Sequence, residues 1–131
     1  SVPAMRLLYK SKPRGKLVLV TDALRAKGMG DGEIDLGGQT VTVCGCEARL
    51  KSGTLAGSIL PMNMAVCNLV TKVGAEYCDA VDCATINVAR SIGEDKDYGS
   101  IAVGKVADFA VLAPDFTVLA TIRDGNVIYK A

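Results

Sequence analysis

The chain has 131 residues, half of them hydrophobic, which is typical of one globular domain with a core of its own. Its formal net charge is +1, and its Lys and Arg residues are scattered without interleaved aromatic residues. This pattern argues against a nucleic-acid groove and against an anionic membrane surface as partners. No apolar run approaches the roughly 20 residues of a membrane span, and the first residues lack the basic-then-apolar order of a signal peptide. We therefore expect a cytoplasmic protein.

The chain contains five cysteines: Cys44, Cys46, Cys67, Cys78 and Cys83. An odd number in apolar surroundings is typical of reduced, buried thiols rather than of a secreted disulfide framework. The sequence Cys44-Gly-Cys46 resembles half of a metal clip, but no second cysteine pair or histidine follows at ligand spacing. If residues 41–46 form a strand, the two thiols share one face, and packing is favoured over coordination.

The first predicted element is a buried strand that carries a carboxylate at its end. Residues 16–21 form a short apolar run rich in Val and Leu, the pattern of a strand covered on both faces in a parallel sheet. Asp22 follows at the C-terminal end, where barrel enzymes carry their catalytic residues. The chain has no histidine, so Asp22 has no imidazole partner. From the residues alone, Asp22 is either a catalytic carboxylate or an Asx-turn or N-cap residue.

A region of loops and short strands is predicted next. The segment 25–38 is dense in glycine and charge, which predicts a loop or a hairpin excursion. Short strands are predicted over 40–46 and 48–50, and residues 51–54 provide the turn that follows them.

Helices are predicted in the middle of the chain. Apolar residues at helical spacing predict one helix over 61–72, which stops at Gly74, and a second over 76–84. Asn87 is predicted to cap a final short helix that ends at Gly93.

The last part of the chain changes to short strands, predicted at 100–102, 108–112, 117–122 and 126–129. Asp124-Gly125 predicts a type I′ hairpin turn, which needs positive φ at both central positions. The change from helices to strands predicts a domain boundary between residues 98 and 99.

Four motifs, read together, resemble one enzyme family. They are Leu19-Val-Thr-Asp-Ala23, Gly53-Thr-Leu-Ala-Gly-Ser58, Ala84-Thr-Ile-Asn-Val-Ala-Arg90 and Gly99-Ser-Ile-Ala-Val-Gly-Lys-Val-Ala-Asp108. In this order and spacing they resemble the C-terminal part of the N-acetylglucosamine-6-phosphate deacetylases, within the amidohydrolase superfamily. The last motif is shared by many amidohydrolases, whereas the first two narrow the resemblance to the deacetylases.

This resemblance implies an α/β fold class. Residues 1–98 would be the C-terminal part of a (β/α)8 barrel, a fragment with its last strand and helices, and residues 99–131 would be the C-terminal strands of a small β-sandwich domain. The implied activity is metal-dependent hydrolysis of the N-acetyl group of an amino-sugar phosphate, which gives glucosamine 6-phosphate and acetate. We also expect the strand at 16–21 to pair with a hairpin around 40–50 or to form a homodimer.

The family resemblance also implies the site residues. Asp22 would be the catalytic general acid and base, which takes a proton from a metal-bound water and passes it to the departing amine. Main-chain groups of Leu55, Ala56 and Gly57 would bind the sugar and its acyl group. The alternative for this segment is a tight turn after which Ser58 begins the next helix.

The family's metal, a divalent ion of the zinc or iron class, would be held by histidines and acidic residues that this chain lacks. We therefore expect the chain to bind no such metal and to have no deacetylase activity by itself. Two other hypotheses remain open. One is a non-catalytic binding or assembly module on the same scaffold. The other is the tail of another amidohydrolase, such as a deaminase or a dihydroorotase, which would share Gly104-Lys105 and Asp108 but lack the motif at 53–58.

Overall fold

The computed structural model describes all 131 residues, which form two compact units. One unit contains residues 20–62, and the other contains residues 1–19 together with residues 63–131. None of the helices has the length and apolar character needed to cross a membrane. The domain boundary between residues 98 and 99 stays a prediction.

Four antiparallel strands in sequential order form the sheet of the 20–62 unit. They are β1 (Gly32–Leu36), β2 (Gln39–Cys44), β3 (Glu47–Leu50) and β4 (Leu55–Ser58). The two strands predicted here are confirmed as β2 and β3, although β2 ends two residues early. The loop or hairpin expected over 25–38 is confirmed in part, because β1 lies in this segment and pairs across a turn at Gly37 and Gly38 with β2, which lies beyond it.

The core of this unit lies against one face of the sheet. In β2, Val41 and Val43 are buried while Thr42 and Cys44 are exposed. Such alternation is typical of a strand with one covered face. Ala26, from the loop before β1, and Ala48, from β3, complete the buried cluster.

Residues 16–21 are extended, but they form no strand, so this prediction is wrong. Leu17 and Leu19 pack against the core of the larger unit, whereas Val18 is 39% and Val20 is 73% exposed. The segment keeps the alternation of a strand but has no ladder beside it. A strand needs hydrogen-bonded neighbours, and the expected pairing with residues 40–50 does not form.

The helices of the chain are α1 (Val2–Ser11), α2 (Met62–Asn68), α3 (Tyr77–Ala84) and α4 (Ile86–Ile92). The three helices that the sequence predicts correspond to α2, α3 and α4. A π-helical segment, Leu69–Val73, continues α2, and Gly74 ends it at φ 83°. The sequence did not predict α1. None of its residues is buried, although Val2, Met5 and Tyr9 give it an apolar side at helical spacing.

Asn87 is not the cap of α4, contrary to the prediction. The helix is preceded by Thr85, and Asn87 is its second residue. The Asn87 side chain is buried, and its Nδ2 donates a hydrogen bond to the Leu17 carbonyl at 3.0 Å. Its Oδ1 accepts none. The amide therefore binds the extended segment rather than the free N–H groups of its own helix.

The C-terminal part of the chain forms a second sheet of three antiparallel strands in sequential order. They are β5 (Phe109–Leu112), β6 (Val118–Arg123) and β7 (Asn126–Lys130). Three of the predicted strands are therefore confirmed. The strand predicted at 100–102 does not form, and Ile101 is 86% exposed without a pairing partner. Positive φ at Asp124 (49°) and Gly125 (77°) confirms the predicted hairpin turn.

The expectation of buried thiols holds only in part. All five cysteines are free, but Cys44, Cys46 and Cys78 are exposed, Cys67 is half-buried, and Cys83 alone is buried. Burial raises the pKa of the Cys83 thiol. Apolar neighbours in sequence do not decide burial here, because β2 has only one covered face.

Replacing Asn87 with alanine is expected to destabilise the protein. The substitution removes the hydrogen bond to Leu17 and leaves that carbonyl without its buried partner, which costs about 1–3 kcal/mol. Urea unfolding followed by circular dichroism measures the change. Ser91→Ala is the control, since Ser91 lies in the same helix and its exposed hydroxyl bonds only to Val88. Equal stability of the two variants would contradict the role given to Asn87.

Candidate active site

Asp22 lies where the chain meets the last strand of the first sheet. Its carbonyl accepts a hydrogen bond from the Ser58 N–H at 3.0 Å, and the Leu24 N–H donates to the Ser58 carbonyl at 2.8 Å. These bonds form a single parallel bridge between Ala23 and Ser58. The Ser58 hydroxyl also donates to the Thr21 carbonyl. The end of β4 therefore holds the backbone on both sides of Asp22.

The backbone of Asp22 is left-handed, with φ 48°. This conformation is uncommon for a residue other than glycine, and it costs on the order of 1–3 kcal/mol unless the surroundings hold it. The Asp22 carboxylate is exposed and takes part in none of the four ion pairs. No helix follows it, because the next one begins at Met62, so Asp22 is not an N-cap. Its carboxylate is free to meet a ligand.

Gly57 lets the strand approach Asp22 closely. It is buried, its φ is 152°, and a Cβ there would lie 2.9 Å from Leu24 Cδ2 and 3.2 Å from the Asp22 carbonyl oxygen. A side chain at this position would displace Leu24 and crowd the Asp22 carbonyl. The structure thus brings the backbones of two predicted site residues, Asp22 and Gly57, close together.

The other two predicted site residues are on the same strand. Leu55 is 58% exposed. Ala56 is half-buried and lies in a register shift, because Leu55 pairs with Arg49 while Gly57 pairs with Ala48. A bulge of this kind leaves the extra residue's backbone outside the ladder. Ala56 therefore has no partner residue in the β3–β4 ladder.

The sequence did not predict that Ser58 would hold the backbone around Asp22. Ser58 ends β4 and does not begin a helix, so that alternative is wrong. Its hydroxyl donates to Thr21 and accepts from the Leu60 N–H at 3.2 Å. A serine at the end of a strand has a hydroxyl that can donate and accept hydrogen bonds. Its partner here lies 37 residues away, so the neighbouring residues in the sequence could not reveal the bond.

The sequence profile of the Amidohydrolase family matches residues 10–128, and the chain belongs to this family. It is similar to the N-acetylglucosamine-6-phosphate deacetylase of Bacillus subtilis, with 40% identity over 126 residues, 96% of this chain and 32% of that protein. The chain thus spans about a third of the length of such relatives.

Solved structures of deacetylases resemble the fold closely. The crystal structure of N-acetylglucosamine-6-phosphate deacetylase from Pasteurella multocida matches 97% of this chain with a TM-score of 0.93 and 34% identity, over 33% of its own length. The enzyme from Thermotoga maritima matches 100% of this chain with a TM-score of 0.90 and 37% identity, over 36% of its own length. The α/β class expected from the sequence is confirmed, with two antiparallel sheets.

The residues present do not fit a divalent metal of the kind that amidohydrolases use. The chain has no histidine, and nowhere do three or more Cys, Asp or Glu side chains converge. A zinc or iron ion needs at least three protein ligands to stay bound, so Asp22 alone is insufficient.

Gly57→Ala is expected to disturb the backbone around Asp22. The new Cβ would displace the Leu24 side chain and crowd the Asp22 carbonyl at a φ of 152°, and the loss in free energy of unfolding should reach roughly 1–3 kcal/mol. Exchange of the Ser58 amide hydrogen, measured by NMR, should become faster because its bond to Asp22 is weakened. Gly53→Ala is the matched control, since its φ is 84° and nothing lies within 4 Å of a Cβ there. Unchanged Ser58 exchange in the Gly57 variant would contradict the close approach.

Proposed function

We propose that this chain carries the catalytic carboxylate of an amino-sugar-phosphate deacetylase, with Asp22 as general acid and base. The observation that supports this proposal most is the exposure of Asp22 together with its backbone conformation. Its carboxylate is exposed and free, while its left-handed backbone is held by Ser58. Residues held in uncommon backbone conformations concentrate at active sites. Similarity to deacetylases from bacteria and animals supplies the reaction class.

In this proposal the N-acetyl group is hydrolysed in two proton transfers. The Asp22 carboxylate accepts a proton from the water whose oxygen attacks the acetyl carbon. It then gives that proton to the amide nitrogen as the C–N bond breaks, so that water and the amide become acetate and a free amine. One carboxylate does both because it returns to its ionised state after each turnover. A backbone fixed by hydrogen bonds keeps the Asp22 carboxylate in one place relative to the reacting atoms.

The substrate contacts proposed for Leu55, Ala56 and Gly57 follow from the same strand. Gly57 adds no side chain beside Asp22, and the register shift leaves Ala56 without a partner residue in the β3–β4 ladder. Main-chain groups at these positions can bind the hydroxyl and acyl oxygens of a sugar without excluding it sterically. We also propose that the substrate is an amino-sugar phosphate. The protein would form a homodimer and would be located in the cytoplasm.

We further propose that residues 16–21, which form no strand in this chain by itself, correspond to the last strand of a (β/α)8 barrel, and that residues 99–131 belong to a small β-sandwich. The alternation of half-buried Leu17 and Leu19 with exposed Val18 and Val20 supports the first point, since it is the pattern of a strand without neighbours. The exposed apolar side chains of β7, Val127 and Ile128, support the second, since a sandwich would cover them.

A chimera tests the role of Asp22. This chain replaces the aligned third of the Bacillus subtilis deacetylase, and acetate release from N-acetylglucosamine 6-phosphate is measured. The chimera should be active, and Asp22→Asn should lower its kcat by about a hundredfold or more, which is the usual contribution of a general acid or base.

Glu33→Gln is the control for the chimera, because Glu33 is an exposed acid in the same unit. It should leave kcat unchanged. A folded chimera whose turnover survives Asp22→Asn would reject the catalytic role. A folded chimera without any activity would favour an assembly module on the same scaffold.

The 131-residue chain by itself is expected to release no acetate from the same substrate. Asp22 can move a proton, but the residues that would hold a metal are absent, and the attacking water is not activated. The assay includes zinc or ferrous ion in excess, with the intact Bacillus subtilis enzyme as its positive control. Turnover by the purified chain above the buffer background would overturn this expectation.

A further inference from the structure

The turn between β2 and β3 carries a pair of exposed thiols. Cys44 is the last residue of β2, and it pairs in register with Glu47, so Gly45 and Cys46 form a two-residue turn. Gly45 has φ 60°, as the first central position of a type II′ turn requires. Cys44 lies on the exposed face of β2 and Cys46 lies in the turn, so neither thiol packs against the core.

Hydrogen bonds from outside the turn fix its backbone. The Gly45 N–H donates to Asp31 Oδ1 at 3.0 Å. The Cys46 carbonyl accepts a bond from the Ile59 N–H at 3.3 Å. A site whose backbone is held before binding loses less entropy when a ligand arrives. The backbone that carries the two exposed cysteines is therefore fixed before any ligand binds.

The chain geometry allows both sulfurs to reach one ion. Residues two apart have Cα atoms at most about 7 Å from each other. Two sulfurs on opposite sides of one ion lie roughly 4.6 Å apart when each bond is near the 2.3 Å of a zinc thiolate. This separation is shorter than that Cα distance, so two exposed cysteine side chains that rotate toward each other can span it.

The number and softness of these ligands select the ion. Zinc takes four ligands in structural sites, and no third His, Cys, Asp or Glu side chain joins the pair to make a metal-binding group. Thiolates prefer soft ions, among them Cu(I), for which two thiolates suffice. We propose that Cys44 and Cys46 form a binding site for a soft monovalent cation of the Cu(I) class. Binding forms two metal–sulfur bonds and releases the two thiol protons.

An anaerobic titration tests this site on the full chain. Cu(I) is supplied as its coloured bicinchoninate complex, and loss of colour reports transfer to the protein. The wild-type chain should take one ion. Cys44→Ser and Cys46→Ser should each weaken binding by about a hundredfold or more, because each removes one arm of a chelate. Excess zinc should not displace the ion.

Cys78→Ser is the matched control, since Cys78 is exposed but has no neighbouring cysteine two residues away. It should leave the affinity unchanged. Buried Cys83 should not compete. Equal loss in the Cys78 variant, or no loss in the Cys44 and Cys46 variants, would overturn the proposal. Sedimentation that shows two chains bridged by one ion would also overturn it, whereas a monomer with two sulfur ligands by X-ray absorption would support it.

Discussion

Ser58 holds residues 21–24 through its N–H, its carbonyl and its hydroxyl, and the geometry of the candidate active site depends on these three bonds. Each is worth about 0.5–1.5 kcal/mol net. Together they match the roughly 1–3 kcal/mol cost of a left-handed Asp22. The strained backbone at Asp22 is thus stable only while β4 lies beside it. The position of the Asp22 carboxylate is therefore fixed by the neighbouring strand, and no side chain is bonded to the carboxylate itself.

The two motifs that narrow the resemblance to deacetylases are physically coupled. Gly57 leaves room for the Asp22 carbonyl, and Ser58 then binds that carbonyl through its N–H. A change in either motif therefore alters the other, through the backbone bond between Asp22 and Ser58 and through the bond from the Ser58 hydroxyl to the Thr21 carbonyl. Motifs more than 30 residues apart in sequence therefore form one structural feature, which explains why the pair is more specific than either motif alone.

The sequence predicted the structure correctly at positions where residues close in sequence determine it. The Asp124-Gly125 turn, strand β2 and helix α3 were all predicted because turn chemistry or apolar spacing determines them. The sequence also named Asp22 and Gly57, although through a family resemblance and not through geometry. What it missed depends on distant partners. Residues 16–21 have strand composition but no neighbour, and Asn87 has the residue type of a cap but binds a carbonyl 70 positions away.

The extended segment at 16–21 has a consequence for the behaviour of the chain in solution. Val18 and Val20 present apolar side chains beside backbone groups that bond to no strand. Such an edge pairs readily with any other extended polypeptide. A net charge of +1 gives little repulsion between copies. Residues 16–21 are therefore one place at which two copies of this chain can associate.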